Sequence, residues 1–158
     1  MIFSKSKKAG KLVSCPMNGE VLPLSKSSDE AHQQEMLGKG ALVIPSEGKV
    51  YAPFNGKVEM VFETKHAIGL TSDDGVELMI HVGFETVKLN GKHYKAHVKE
   101  SQTIKEGDLL LEFDIEGIKA DGYEIETPVI VTNTGSYQSI VVLAAGAVKK
   151  NERLLEIN

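Results

Sequence analysis

The chain has 158 residues, a formal net charge of −4 and a single cysteine. That is enough length for one domain with its own core, but it excludes an internal disulfide and a thiolate metal cluster and fits a reducing compartment. The acidic balance, with Lys and Arg spread out beyond the N-terminus, excludes a nucleic-acid footprint, and no apolar run approaches the roughly 20 residues needed to span a bilayer.

Met1 to Lys11, MIFSKSKKAGK, is basic and lacks the apolar segment of a signal peptide. It reads as a flexible tail over 1–11, solvated as termini commonly are, ahead of one domain over 12–158. Short strands punctuated by Gly, Asn-Gly and Asp-Gly steps are predicted at Ala41 to Ile44, Lys49 to Ala52, Gly56 to Phe62, Ala67 to Thr71, Val76 to Val82, Leu109 to Phe113, Val129 to Thr132 and Ser139 to Leu143. Asp29 to Leu37 has the composition of a short helix stopped by Gly38, and Ile115 to Ala120 of a single turn. His32, in the first of these, is expected at the surface, as are His93 and His97 in a lysine-rich stretch.

Two segments recur. Pro16-Met17-Asn18-Gly19-Glu20-Val21 reappears as Pro53-Phe54-Asn55-Gly56-Lys57-Val58, a turn feeding an outgoing strand. Ile104 to Asp114 reappears as Val148 to Asn158, a tight turn followed by a strand with alternate apolar residues. Duplicated units of this kind suggest a closed or nearly closed antiparallel β-sandwich or barrel with at most short helical turns, which leaves few free edges.

The chemistry gathers around one hairpin. Ser72-Asp73-Asp74-Gly75 is a tight-turn sequence. If Asp73-Asp74 is the loop, His66 lies opposite His81; if Asp74-Gly75 is the loop, His81 moves opposite Ile68. Either register leaves the two imidazoles on one face, about 5 to 8 Å apart at Cβ. A three-residue loop would put them on opposite faces. By strand alternation Thr64 and Phe62 share the face of His66, and Met79 and Glu77 that of His81. The result is a polar centre with an apolar rim, suited to docking a protein while excluding water.

Two imidazoles on one surface suit phosphoryl transfer or metal binding. For transfer, a neutral ring needs one free nitrogen, and imidazole with an ordinary pKa near 6.5 supplies it near neutrality. A carbonyl just after His81 can hold the other nitrogen's proton, and the second histidine can bond a phosphoryl oxygen. No glycine-rich phosphate loop or Walker lysine is present, so the phosphoryl donor is another protein or a small molecule. A catalytic zinc site wants three protein ligands and a water; neither HExxH nor a short His-x-His pair occurs, and Glu77 is a third ligand only if it reaches.

The run Gly75-Val76-Glu77-Leu78-Met79-Ile80-His81-Val82-Gly83-Phe84-Glu85-Thr86-Val87 and the upstream Thr64-Lys65-His66-Ala67 resemble the glucose-type enzyme IIA domain of the bacterial phosphoenolpyruvate-dependent sugar phosphotransferase system. Val50-Tyr51-Ala52-Pro53, Gly107-Asp108-Leu109-Leu110 and Thr127-Pro128-Val129 extend the resemblance over about 12–158. It implies an antiparallel β-sandwich and a phosphotransferase component in which His81 accepts the phosphoryl group through Nε2. His66 would bond that group, Thr64 would belong to the same network, and the Gly83 carbonyl would hold the His81 tautomer. The implied donor is the histidine-containing phosphocarrier protein, and the acceptor a cysteine of enzyme IIB, which passes the group to a sugar during uptake through a membrane permease. The implied location is cytoplasmic, and phosphorylation-dependent regulation belongs to the same resemblance. No cofactor is required; similar domains bind zinc through two histidines, here His66 and His81, when docked on a partner.

Phe62, Met79, Glu85, Val87 and Lys39 are the implied docking residues. The chain departs from the family pattern at three places. Glu85 stands where Asp is usual, Lys39 replaces Asp in a Gly-Asp-Gly run, and His32 takes the place of an aromatic. Lys39 reverses a charge, which acts on partner choice and on-rate rather than on the chemistry. A biotinyl or lipoyl carrier, suggested by Ala52 to Val58, lacks the modified lysine in a hairpin-tip motif. The sugar is set by the membrane partner. Both ends read as those of a single domain, either stand-alone or taken from a longer transporter.

Overall fold

Alternating apolar residues draw the chain into fourteen short strands and two short helices in the computed structural model, which describes residues 10–158. The strands are β1 (Lys11–Ser14), β2 (Gly19–Pro23), β3 (Lys39–Pro45), β4 (Lys49–Tyr51), β5 (Gly56–Val61), β6 (Ala67–Ser72) and β7 (Glu77–His81). They continue with β8 (Tyr94–Ala96), β9 (Thr103–Ile104), β10 (Leu109–Phe113), β11 (Thr127–Val131), β12 (Ile140–Val142), β13 (Gly146–Val148) and β14 (Arg153–Ile157). Every recorded pairing is antiparallel. An eight-stranded sheet runs β13-β2-β3-β11-β7-β6-β5-β9, faced by three-stranded sheets β1-β14-β12 and β4-β10-β8. Between them Val21, Val43, Val58, Leu70, Leu78, Ile80, Leu111, Val129 and Leu155 form one buried core. The expected antiparallel sandwich is therefore present. The expected basic tail falls mostly on residues 1–9, outside the described residues, and Lys11 already belongs to β1.

The duplicated segments make equivalent bonds. Asn18 Oδ1 accepts from the Lys150 N–H at 2.8 Å, and Asn55 Oδ1 from the Glu106 N–H at 2.9 Å. Cys15 N–H donates to the Glu152 carbonyl as Ala52 N–H does to that of Asp108, and Asn151 and Gly107 return bonds to Cys15 and Ala52. Each Asn-Gly turn thus ties down one copy of the second repeat, and the two outer sheets are anchored to the large one in the same way.

The first helix, α1 (Glu30–Gln33), is shorter than the expected Asp29 to Leu37. Asp29 caps it by accepting from the Ala31 N–H at 2.9 Å, but Glu35 takes φ +57° and ends it. Met36 and Leu37 are solvent-exposed, so no continuous apolar face rewards another turn. The second, α2 (Ile115–Ala120), falls where a single turn is expected and is capped by Asp114, which accepts from the Gly117 N–H.

The hairpin between β6 and β7 corrects the expected register. Ala67, not His66 or Ile68, lies opposite His81, and Thr71 lies opposite Glu77. The loop is therefore three residues, Asp73-Asp74-Gly75. Ser72 sets it: its carbonyl accepts from the Gly75 N–H, and its hydroxyl oxygen from the Val76 N–H at 2.9 Å. Gly75 takes φ +96°, the left-handed residue that a three-residue hairpin requires.

Candidate active site

With this register, simple alternation would send His66 to the far face from His81. The rings nevertheless meet at 4.7 Å between centroids, edge to face at 83°. The reason is that His66 lies outside the strand. Lys65 takes φ +61°, in a turn closed by its N–H to the Phe62 carbonyl at 2.7 Å, and the His66 carbonyl accepts from the Val82 N–H at 2.7 Å. The left-handed residue breaks the alternation and swings the ring back onto the face of His81. The small residues opposite β7, Ala67 facing His81 and Gly69 facing Met79, leave room above the pair.

His81 Nδ1 donates to the Gly83 carbonyl at 2.8 Å. A carbonyl only accepts, so the neutral ring carries its proton on Nδ1 and presents a lone pair at Nε2. Gly83 takes φ +95°, and a Cβ there would stand 2.4 Å from Thr86 Cγ2. Thr86 cannot yield easily, because its hydroxyl donates to the Val82 carbonyl at 2.7 Å, while Gly83 N–H is held by the Glu126 carbonyl at 2.9 Å. A Gly83→Ala substitution is expected to cost about 1–3 kcal/mol and to loosen the His81 tautomer. Thermal unfolding together with the nitrogen shifts of His81 checks this; wild-type values for both would contradict it.

His66 is 2 % exposed, and its Nδ1 lies 2.6 Å from Thr64 Oγ1. Burial, and then the neighbouring His81, hold its pKa down at about 4. Burial also lowers that of His81, with the Gly83 carbonyl and Asp29 acting the other way. Both rings are therefore neutral at neutrality, as a nitrogen nucleophile requires. In the unfolded chain a histidine titrates near 6.5. Between about 4 and 6.5 the unfolded chain thus binds more protons, so this contribution to stability is full above about 6.5 and is lost as pH falls towards 4. Urea midpoints at about pH 7 and pH 4.5 should differ in that direction, and the difference should shrink in His66→Gln. A proton-shift titration of His66 centred at or above 6.5 would contradict the argument.

Phe62 and Met79 flank the pair, Phe62 with its ring 5.4 Å from His66. Both also line a groove of about 500 Å³ with Glu59, Met60, Gly69 and Glu77. Val87 is exposed beyond Gly83, and Glu85 pairs with Lys88 at 3.1 Å. Lys39 is not brought to this face. It aligns through Val131 with Leu78, in the row that faces the core. Glu77 does not reach the pair either, since it lies four residues along β7, about 13 Å at strand rise. Among the described residues no group of three or more His, Cys, Asp or Glu side chains converges to hold a metal.

His32 overturns the expectation of a surface side chain. It is 6 % exposed, with its ring 6.2 Å from that of His81. Its nearest polar groups, Ser27 and Asp29, are local, but Ser27 is itself held by Glu126 from far along the chain, which nothing nearby in the sequence signals. His93 and His97 pair with Asp121 at 2.9 Å and Glu112 at 2.6 Å, away from the pair. The exposed Met36, Leu37 and Met60 add apolar surface that sequence reasoning passed over; two adjacent apolar residues before Gly38 read there as a helix end.

The family model of the phosphoenolpyruvate-dependent sugar phosphotransferase system, EIIA 1, matches residues 11–137. A PTS system beta-glucoside-specific EIIBCA component of Halalkalibacterium halodurans is 46 % identical over 145 residues, covering 92 % of this chain and 23 % of that protein. The protein of the same name from Bacillus subtilis is 46 % identical over 147 residues, 93 % of this chain and 24 % of its own length. The chain thus spans about a quarter of the length of these curated relatives. The solved structure of glucose permease IIA from Mycoplasma capricolum superposes with a TM-score of 0.88 at 30 % identity, covering 98 % of both chains.

Proposed function

This chain belongs to the EIIA 1 family of the phosphoenolpyruvate-dependent sugar phosphotransferase system, and we propose that within such a system it carries a phosphoryl group on His81. The donor is the phosphohistidine of the histidine-containing phosphocarrier protein. His81 Nε2 attacks phosphorus as the donor's N–P bond breaks; a new N–P bond forms, and the His81 Nδ1 proton stays with the Gly83 carbonyl. Thr64 donates its hydroxyl proton to His66 Nδ1, so His66 carries hydrogen on Nε2 and offers it to a phosphoryl oxygen. A cysteine thiolate of enzyme IIB then attacks phosphorus, exchanging the N–P bond for S–P, and the group goes on to a sugar entering through the permease. Catalysis here is positioning and charge stabilisation.

The observation that carries this reading is the pairing of His81 Nδ1 with the Gly83 carbonyl at 2.8 Å, which commits one nitrogen and frees the other beside His66. Phe62, Met79 and Val87 supply the apolar rim for both partners, with Glu85 beside them. The reading needs no cofactor; zinc would require ligands from a docked partner. A cytoplasmic location follows from the donor, and no helix of the described residues is long and apolar enough to cross a membrane. The choice of sugar lies in the permease, and the phosphorylation state of His81 is available as a regulatory signal. Radiolabel followed from phosphoenolpyruvate through enzyme I and the phosphocarrier to a cysteine of enzyme IIB tests the relay. Label that reaches the chain but never leaves it for enzyme IIB would sink it.

A further inference from the structure

We infer that His32 is a third member of the transfer site, a positioning residue whose Nε2 donates a hydrogen bond to the phosphoryl group on His81. The inference rests on the carrier reading above. His32 and His66 flank the His81 ring, at 6.2 and 4.7 Å between centroids, both edge-on. His32 Nδ1 lies 3.5 Å from Ser27 Oγ and 3.8 Å from an Asp29 carboxylate oxygen. Ser27 spends its hydroxyl proton on Glu126 Oε2, at the shorter distance of 2.8 Å. Towards His32, therefore, Ser27 Oγ offers only a lone pair, and His32 Nδ1 is the donor.

Behind Ser27, Glu126 is a buried carboxylate. It also accepts from the Ser28 N–H at 2.8 Å and the Ser28 hydroxyl at 2.6 Å, and that hydroxyl lies 2.8 Å from Glu124. His32 is thus backed by Asp29 directly and by Glu126 through Ser27, an arrangement that fixes the orientation of the ring. Its Nε2 has no hydrogen-bond partner among the described residues, and no fully buried side-chain nitrogen lacks one, so Nε2 opens outward. The charged and titratable groups around the ring are Asp29 on its own segment, Glu126 and Glu124 ahead of β11, and His81 and His66 on the hairpin.

Phosphorylation of His81 Nε2 places negative charge beside this ring. His32 then takes a proton from solvent on Nε2 and spans the carboxylates behind and a phosphoryl oxygen in front. The N–P bond to His81 is untouched, and the proton returns to solvent when the group leaves. A charge-assisted bond of this kind stabilises the carried group.

The test equilibrates the full chain with phosphorylated phosphocarrier protein and reads the phosphorylated fraction by intact mass and the phosphorus resonance by NMR. His32→Phe keeps a ring in the cavity and removes the donor; His32→Gln returns a neutral donor. The phosphorylated form is expected to fall about tenfold in His32→Phe, with a moved phosphorus resonance and partial recovery in His32→Gln. Ser27→Ala leaves the ring in place, removes its backing and should move both readouts the same way by less; it serves if His32→Phe misfolds. Equilibrium and resonance equal to wild type in these variants overturn the role of His32 and leave the carrier reading standing. A wild-type chain that takes no phosphoryl group overturns both.

Discussion

His81→Ala is expected to take up no phosphoryl group from the phosphocarrier protein, with the relay through it falling to background. Loss of a covalent nucleophile costs on the order of 10⁶-fold where it has been measured in enzymes, and no other histidine among the described residues has its Nδ1 proton committed to a backbone carbonyl, as His81 has to Gly83 at 2.8 Å. His66 has Nδ1 at Thr64 and its other nitrogen turned towards the pair, while His32 points Nδ1 at Ser27 and Asp29. The fold should survive, because His81 ends β7 and pairs across the sheet with Ala67, where a second alanine fits without strain. Circular dichroism and the unfolding midpoint separate loss of chemistry from loss of structure. A correctly folded His81→Ala that still gained an acid-labile phosphoryl group would overturn the assignment of the nucleophile.

His66→Ala is expected to divide the two half-reactions. The nucleophile remains, so phosphoryl uptake continues, but the group loses a donor as it leaves for enzyme IIB. Removing one positioned donor to developing charge costs about 10²–10³-fold, and that is the expected drop in the rate of transfer onward. The ring is buried, so the truncation also costs stability; His66→Gln, closer in size and still able to donate, should recover part of both losses. Single-turnover measurements of uptake and release check the division. An equal fall in both half-reactions would mean that His66 acts on His81 rather than on the travelling group.

Most strands, the short turn at Ile115 to Ala120 and the two repeats were legible because each is written locally, in alternation or in Asn-Gly steps that recur; β1, β8, β9 and β13 were not, being only two to four residues each. The register of the β6–β7 hairpin was not. Ser72-Asp73-Asp74-Gly75 suits loops of two or three residues, and the choice rests on Ser72 bonding Val76 through its side chain. Both expected registers were wrong, yet the histidines meet, because strand alternation stops where Lys65 turns left-handed. A period-two argument reaches only as far as the strand does. Lys39 shows the converse: its exposure is plain from composition, but the pairing of β3 with β11 places it in the row of the other face. His32 was illegible for a third reason, since the carboxylate behind Ser27 comes from Glu126, across the fold.

The central claim is that His81 Nε2 carries the group. The most direct measurement incubates the wild-type chain with phosphoenolpyruvate, enzyme I and the phosphocarrier protein, then maps any added mass by fragmentation under conditions that preserve phosphohistidine. The account predicts one acid-labile phosphoryl group per chain, on His81, absent when enzyme I is left out. A group found on His66 or His32, or no added mass at all, would contradict it.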